Sequence, residues 1–455
     1  MNLQLAEITQ AVQGRLIGND LPVTGVGIDT RTLKPGDVYV AIKGQHFDGH
    51  DFCDKAEQAG ASALLVSKTV DSSLPRILVA NTRLALAELA GYWRKKLPVK
   101  IAGVTGSNGK TSVKEMLAAI FATQGNTLYT QGNLNNDIGV PLTLLRLNEA
   151  YRYAVIEMGA NHPGEIAFTS HYAQADVSVI TNVGPAHIEG FGDINGVANT
   201  KAEIFENLAP QGVAVLNRDD NFYDFWLREK VGKRKSVSFG LAAAADVRAE
   251  NIQSRLDVQG FTTRFDLVTE STRQTMQLNL AGEHNVKNAL AAAAVALQFG
   301  IDLLAIKRGL EQMQPVTGRM QPIVGRKGNI VIDDTYNANP ASLKAALDAV
   351  GQSQQPLWLA LGAFGELGAN SPAIHAELGA MIKASPVTQL FATGELAKHT
   401  VDTFGDGGQF FESQAALIDT LNQAITGRET ILIKGSRAQK MEHVVAALVD
   451  NFRAA

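Results

Sequence analysis

Cysteine is nearly absent: Cys53 is the single one in 455 residues. That excludes an internal disulfide and a metal site built from several thiolates, and it fits a reducing compartment. Long apolar runs are also missing. None approaches the ~18 residues that suggest a membrane-crossing helix, and the opening stretch MNLQLAEITQ carries no signal-peptide pattern. A cytoplasmic, soluble chain without membrane insertion is therefore expected. Neither sign of charge dominates, with 41 Lys and Arg against 45 Asp and Glu and a net charge of −4. Nothing in that balance suggests a nucleic-acid partner, and the runs Arg94-Lys95-Lys96 and Lys233-Arg234-Lys235 read as solvated surface or linker. What remains is an ordinary globular composition, 45% hydrophobic with 42 glycines. Its length suggests three domains.

The most informative stretch is Val99 to Ser112, VKIAGVTGSNGKTS. Ile101 to Val104 reads as a buried strand, and Val113, Met116, Leu117, Ile120 and Phe121 recur at helical spacing. Between them, Thr105-Gly106-Ser107-Asn108-Gly109-Lys110-Thr111 has the composition of a phosphate-binding loop in the required strand–loop–helix context. The glycines let successive N–H groups turn toward an anion, and the helix adds its positive end. Lys110 is placed to reach the β- and γ-phosphates, and the Thr111 hydroxyl to ligate Mg²⁺. The first glycine of the longer G-x-x-x-x-G-K-[ST] pattern would fall at Val104, so the loop fits the shorter T-G-x-x-G-K-T.

The chain divides around this loop into domains at 1–84, 85–314 and 315–455. The fold class expected is α/β throughout: a small α/β N-terminal domain, a central P-loop parallel-sheet domain with added antiparallel strands over residues 236–280, and a C-terminal Rossmann-like α/β domain. In the first domain, Asp29-Thr30-Arg31 and the run Lys43 to Asp51 are polar clusters between strands; composition favours soluble loops over a ligand rim. In the second, ligands should gather at the carboxyl ends of parallel strands. Those ends carry Glu157-Met158-Gly159-Ala160-Asn161-His162, Thr181 to His187, and Asn217 to Asp220. Glu157 reads equally as a Mg²⁺ ligand or a surface carboxylate, His187 more readily as a loop histidine, and Lys201 as a solvent-exposed helix residue. Asn285 and Asn288, on the first turn of an alanine-rich helix reaching Phe299, are spaced to read an adenine edge. The third domain brings Asp333 to Pro340, Gly362 to Gly368 and Lys434 to Arg437 to its own strand ends, without a second glycine-lysine loop.

In this order, T-G-S-N-G-K-T, E-M-G-A-N-H, A-H-I-E-G-F-G, K-A-E-I-F, G-E-H-N-V-K-N-A-L, G-R and D-D-T-Y-N-A-N-P resemble the Mur ligases of bacterial peptidoglycan synthesis over essentially the whole chain. The runs N-L-N-N-D-I-G-V-P, D-T-R, K-G-Q-H-F-D-G-H-D-F and Tyr336-Asn337-Ala338-Asn339-Pro340 look like the family's dipeptide-adding member. The resemblance implies an ADP-forming amide ligase that joins D-alanyl-D-alanine to UDP-N-acetylmuramoyl-tripeptide through an acyl phosphate, acting as a monomer on small molecules. It implies ATP and two Mg²⁺ as cofactors. Thr105, Gly106, Ser107, Asn108, Gly109, Lys110, Thr111 and Ser112 would hold the phosphates, and Asn285 and Asn288 would approach the adenine. Arg319 and Asp334 would lie near the ribose and phosphates. Thr111, Glu157 and His187 would serve the metals, joined by Lys201 once CO₂ has turned it into a carbamate. Lys110, Glu157, His187 and Lys201 would be the catalytic set. Asp29, Thr30 and Arg31 would lie by the uridine diphosphate, and Asn135, Asn136 and Asp137 by the muramoyl peptide. Tyr336, Asn337, Asn339, Lys434, Ser436 and Arg437 would line the dipeptide side. One position departs from the family pattern: Ala363 stands where a carboxylate is expected. The rival readings are a sister ligase adding a single amino acid, and a nucleotide-dependent binding module without ligation chemistry.

Overall fold

A computed structural model of the chain describes residues 1–184, 188–257, 260–351, 353, 355–365, 367–450 and 452. The strand Lys100–Thr105 lies inside a nine-stranded sheet, between the parallel strands Tyr153–Glu157 and Val177–Ile180. All three are apolar on both faces because helices cover both. One cover is the helix Lys110–Ala122, which packs with Gly282–Gln298 and Leu303–Gln312 over Val104, Val155 and Val179. From Ala289 to Ala296 the helix Gly282–Gln298 is apolar and buried all round, and its alanines let backbones come close on all sides. Gly309 lets the helix Leu303–Gln312 come against Lys110–Ala122: an added Cβ would stand 2.5 Å from the Ile120 Cα.

The sheet continues through Val213–Asn217 to Ser236–Gly240, and here the expectation of antiparallel strands over 236–280 is corrected. Ser236–Gly240 runs parallel to Val213–Asn217, and Val247–Asp257 meets it in parallel at Phe239 and Gly240. Only Val247–Asp257, Gly260–Val268 and Arg273–Leu278 form the antiparallel extension. The short apolar run SVSFG carries no mark of direction; its length of connection to Val213–Asn217, filled by the helical turns Tyr223–Phe225 and Trp226–Val231, makes the crossover that parallel pairing needs.

Two smaller sheets flank this one. The N-terminal sheet has five strands in the order Arg15–Ile17, Arg76–Leu78, Ala63–Val66, Asp37–Val40, Gly25–Gly27, all parallel except the first. The helix Thr82–Lys95 leads out of it, capped by Asn81, whose side chain accepts from the Arg83 and Leu84 N–H groups. The C-terminal sheet has six strands in the order Gln321–Val324, Ile330–Asp334, Thr430–Lys434, Leu357–Gly362, Val387–Thr393, Gly408–Phe411. Its first strand is antiparallel to the second and the rest are parallel, which puts Asp334, Lys434 and Gly362 at one edge. The lone Cys53 is buried in a satellite cluster with Tyr39, Ala56 and Leu64 in the N-terminal unit. Among the described residues no helix is long and apolar enough to cross a membrane.

Candidate active site

The carboxyl edges of the central and C-terminal sheets face each other across a cavity of about 890 Å³. The glycine loop forms one wall. Gly106 (φ 148°) and Gly109 (φ 81°) adopt conformations in which a side chain is strained, and a Cβ on them would stand 1.9 Å from Thr181 Oγ1 and 2.3 Å from Asn288 Oδ1 respectively. The loop is held from behind: Asn108 N–H donates to Asn182 Oδ1 at 3.0 Å, and the Ser107 hydroxyl to the Gly184 carbonyl at 3.1 Å. Thr105 does not line the cavity; its hydroxyl donates to the Met158 carbonyl at 2.7 Å and ties the loop strand to the strand end beside Glu157. Lys110 folds over the loop and donates to the Gly106 and Ser107 carbonyls at 2.7 and 3.2 Å. Burial lowers its pKa, opposed by the charge of Glu157. Gly106 to Ser112 all line the cavity.

Glu157 is 2% exposed, so the surface reading of this carboxylate is excluded. Asn135 Nδ2 donates to its Oε1 at 2.9 Å, and among the described residues Oε2 has no partner. A buried carboxylate oxygen left without a donor is a poor arrangement for the protein alone and a good one for a cation. Lys201 reverses its sequence reading as an exposed residue. It lies on the helix Ile194–Ala202 at 3% exposure, with its ammonium 5.3 Å from the Phe191 ring centroid. Burial, reinforced by the nearby charge of Lys110, pulls its pKa down to about 7. The fourth residue of the expected catalytic set, His187, lies outside the described residues. Among the described residues no three His, Cys, Asp or Glu side chains gather as a metal site.

The opposite wall comes from the C-terminal unit. Arg319 donates to the Thr111 hydroxyl at 3.1 Å while its guanidinium lies 4.3 Å from the Tyr336 ring centroid. Asn339 Nδ2 donates to Asn108 Oδ1 at 2.9 Å, so a residue expected on the dipeptide side touches the phosphate loop directly. Asn339 is also the N-cap of the helix Pro340–Val350, in a capping box with Ser342. Lys434, 1% exposed, donates to Asp334 Oδ2 at 2.6 Å and to the Asn337 carbonyl at 3.1 Å. Asn285 and Asn288 are joined at 3.2 Å and face the cavity beside Gly109.

Of the remaining expected residues, Asn135, Asn136 and Asp137 line the cavity. Asp137 pairs with Arg83 at 2.9 Å, which ties this wall to the helix leading out of the N-terminal unit. Ser436 and Arg437 do not line it: the Ser436 hydroxyl donates to the Ala363 carbonyl at 2.8 Å, and Arg437 stands 5.7 Å from the Tyr336 ring centroid. Asp29, Thr30 and Arg31 lie apart, on the loop after Gly25–Gly27, where Arg31 holds the Asp29 carboxyl down at about 2. In the Lys43 to Asp51 run, Asp48 accepts from His50 within the run at 2.6 Å and from Lys68 beyond it at 2.9 Å. Among the cavity residues that the sequence reading did not name as site residues are His284, Lys287 and Phe222. His284 and Lys287 share the first turns of the helix with Asn285 and Asn288, and that spacing was the available signal; Phe222 follows Asn217 to Asp220 with no signal of its own.

Comparison with known proteins places this geometry. Residues 22–94 match the model described as Mur ligase family, catalytic domain; 104–296 match the Mur ligase middle domain; 318–437 match the Mur ligase, glutamate ligase domain. The chain is 44% identical over 454 residues to the UDP-N-acetylmuramoyl-tripeptide–D-alanyl-D-alanine ligase of Escherichia coli K12, covering 99% of each chain. The crystal structure of MurF from Acinetobacter baumannii superposes with a TM-score of 0.91 at 36% identity, covering 98% of each chain. That of the Thermotoga maritima MurF ligase in complex with ADP superposes at 0.83 with 28% identity, covering 93% of this chain and 97% of that one. By its matched models and its full-length relatives, the chain belongs to the Mur ligase family.

Proposed function

We propose that this chain is the ATP-dependent ligase that joins D-alanyl-D-alanine to UDP-N-acetylmuramoyl-tripeptide. The observation that carries the reading is the convergence of the glycine loop, Glu157, Lys201 and the Arg319–Tyr336–Asn339 group on one cavity between two units. The tripeptide's terminal carboxylate is a poor electrophile. Its oxygen attacks the γ-phosphorus of ATP, ADP leaves, and the acyl phosphate forms. The free amine of the dipeptide then attacks the acyl carbon through a tetrahedral intermediate, phosphate leaves, and the amine gives up a proton. Phosphoryl transfer of this kind needs positioning and charge neutralisation more than covalent help. Lys110 and the loop N–H groups supply both at the phosphates, with Arg319 across from them. Asn285 and Asn288 take the adenine side, Asp334 the ribose side, and Asn135, Asn136 and Asp137 the muramoyl peptide. The N-terminal unit up to residue 84, with Asp29, Thr30 and Arg31, takes the uridine diphosphate, and the unit from 315 brings the dipeptide to Tyr336, Asn337, Asn339 and Lys434.

Thr111 and the free oxygen of Glu157 suit Mg²⁺, which when bound neutralises phosphate charge. Lys201 suits carbamylation, since a lysine near 7 presents a neutral amine able to add to CO₂ and release one proton, giving an anion that would help hold the metal. The enzyme acts as a monomer. The test is turnover: ADP release should require the muramoyl tripeptide and D-alanyl-D-alanine together, and rapid release with neither would overturn the ligase reading.

A further inference from the structure

The helix after the glycine loop carries a second lysine for which the ligation chemistry has no use. Lys114 is 2% exposed. Its ammonium donates to the Thr130 carbonyl at 2.9 Å, pairs with Glu115 Oε1 at 2.8 Å, and stands 5.5 Å from the Tyr129 ring centroid. Lysine is almost never buried this far unless paired, and a position needed only for packing would hold an apolar side chain without the cost of desolvating a charge.

The carbonyl it grips belongs to a connecting residue. The Thr130 N–H donates to the Val155 carbonyl at 3.0 Å, and the Thr130 hydroxyl accepts from the Glu157 N–H at 3.0 Å. Five residues further along the same segment, Asn135 donates to Glu157 Oε1. Residues 130–135 thus fix both the backbone and one carboxylate oxygen of Glu157, and Oε2 has no partner among the described residues. Lys114 fixes that segment from the helix whose first residues are Lys110 and Thr111.

We propose that Lys114 is a positioning residue that, through Thr130, holds Glu157 in register with Thr111 so that a divalent cation meets two preset oxygens. The proposal rests on the metal role given above to Glu157. Groups that orient metal ligands change metal affinity when they are removed, and a lysine that merely fills space does not.

The test compares Lys114→Met, which keeps the stem and removes the donors, with Lys114→Arg, which keeps charge and donors. The probe is Mn²⁺ in the presence of ADP, with free ion counted by electron paramagnetic resonance. ADP affinity without divalent ion is read by calorimetry and folding by thermal melt. Lys114→Met should weaken Mn²⁺ binding about tenfold and leave metal-free ADP affinity unchanged, and Lys114→Arg should recover most of the loss. If Lys114→Met fails to fold, Thr130→Val, which removes only the hydroxyl contact, should show the same weakening. Unchanged Mn²⁺ affinity in the folded variant overturns the proposal, as does a parallel loss of metal-free ADP affinity. Glu157→Gln separates the two levels. If it leaves Mn²⁺ binding intact, the metal role of Glu157 fails and the proposal with it; if it abolishes binding while Lys114→Met leaves Mn²⁺ affinity unchanged, only the role of Lys114 fails.

Discussion

Lys201 shows how far a single residue's environment can depart from its residue type. On the sequence it is one lysine on a helix; in the fold it is a buried amine brought down to about 7 from the ordinary 10.5. Between those values the unfolded chain holds a proton that the folded chain has released, so this residue's contribution to stability rises with pH across the window. Below about 7 both states are protonated, and the cost of burying the cation is felt in full. Lys201→Ala should therefore leave the fold intact and lower steady-state ADP release by roughly 10²-fold, with formate or acetate restoring part of the rate. An unaltered rate would remove Lys201 from the site. Ala363 is the counterpart, a residue whose type was informative on the sequence and whose place in the fold is quiet. It is buried, its N–H donates to Thr393 and its carbonyl accepts from Ser436, so the C-terminal loop is held by main-chain contacts where a carboxylate was expected.

At the scale of elements, the glycine loop was the most legible part of the chain because its chemistry is local. Strand, turn and helix follow one another, and the backbone needs glycine at two of the turn positions. Gly109→Ala tests that need. A side chain in the left-handed region costs about 1–2 kcal/mol, and here its Cβ also meets Asn288, itself bonded to Asn285. The substitution should lower the melting temperature modestly and abolish ADP binding measured by calorimetry; retained binding would mean that the loop can re-form around a side chain. Strand direction was far less legible. Ser236–Gly240 reads the same whether it runs with or against its neighbour, and only the partner decides. The edge strands Arg15–Ile17, Gln321–Val324 and Gly408–Phe411 were missed for a related reason, since each is short, partly exposed and without a continuous apolar run.

At the scale of the whole molecule, the three larger sheets are joined by few connections, and the site lies between two of them. Two side-chain bonds, Arg319 to Thr111 and Asn339 to Asn108, already bring the C-terminal unit onto the glycine loop. Asp29 to Arg31 remain outside the cavity. Ligands that must touch several units should draw them together. X-ray scattering should show a smaller radius of gyration with an ATP analogue and the muramoyl tripeptide than without them, and an unchanged value would mean that the ligand-free arrangement is already the working one. Cross-unit contacts of this kind join residues more than 200 positions apart, which no local pattern in the sequence encodes. The solitary cysteine makes such motion unusually easy to follow. Cys53 is buried and its thiol is pushed up to about 11, so at neutral pH it offers maleimide reagents almost no thiolate. The natural chain is in effect a silent background for spectroscopic labels: a pair of cysteines introduced on two units can carry a spin or fluorophore pair without first removing the native one.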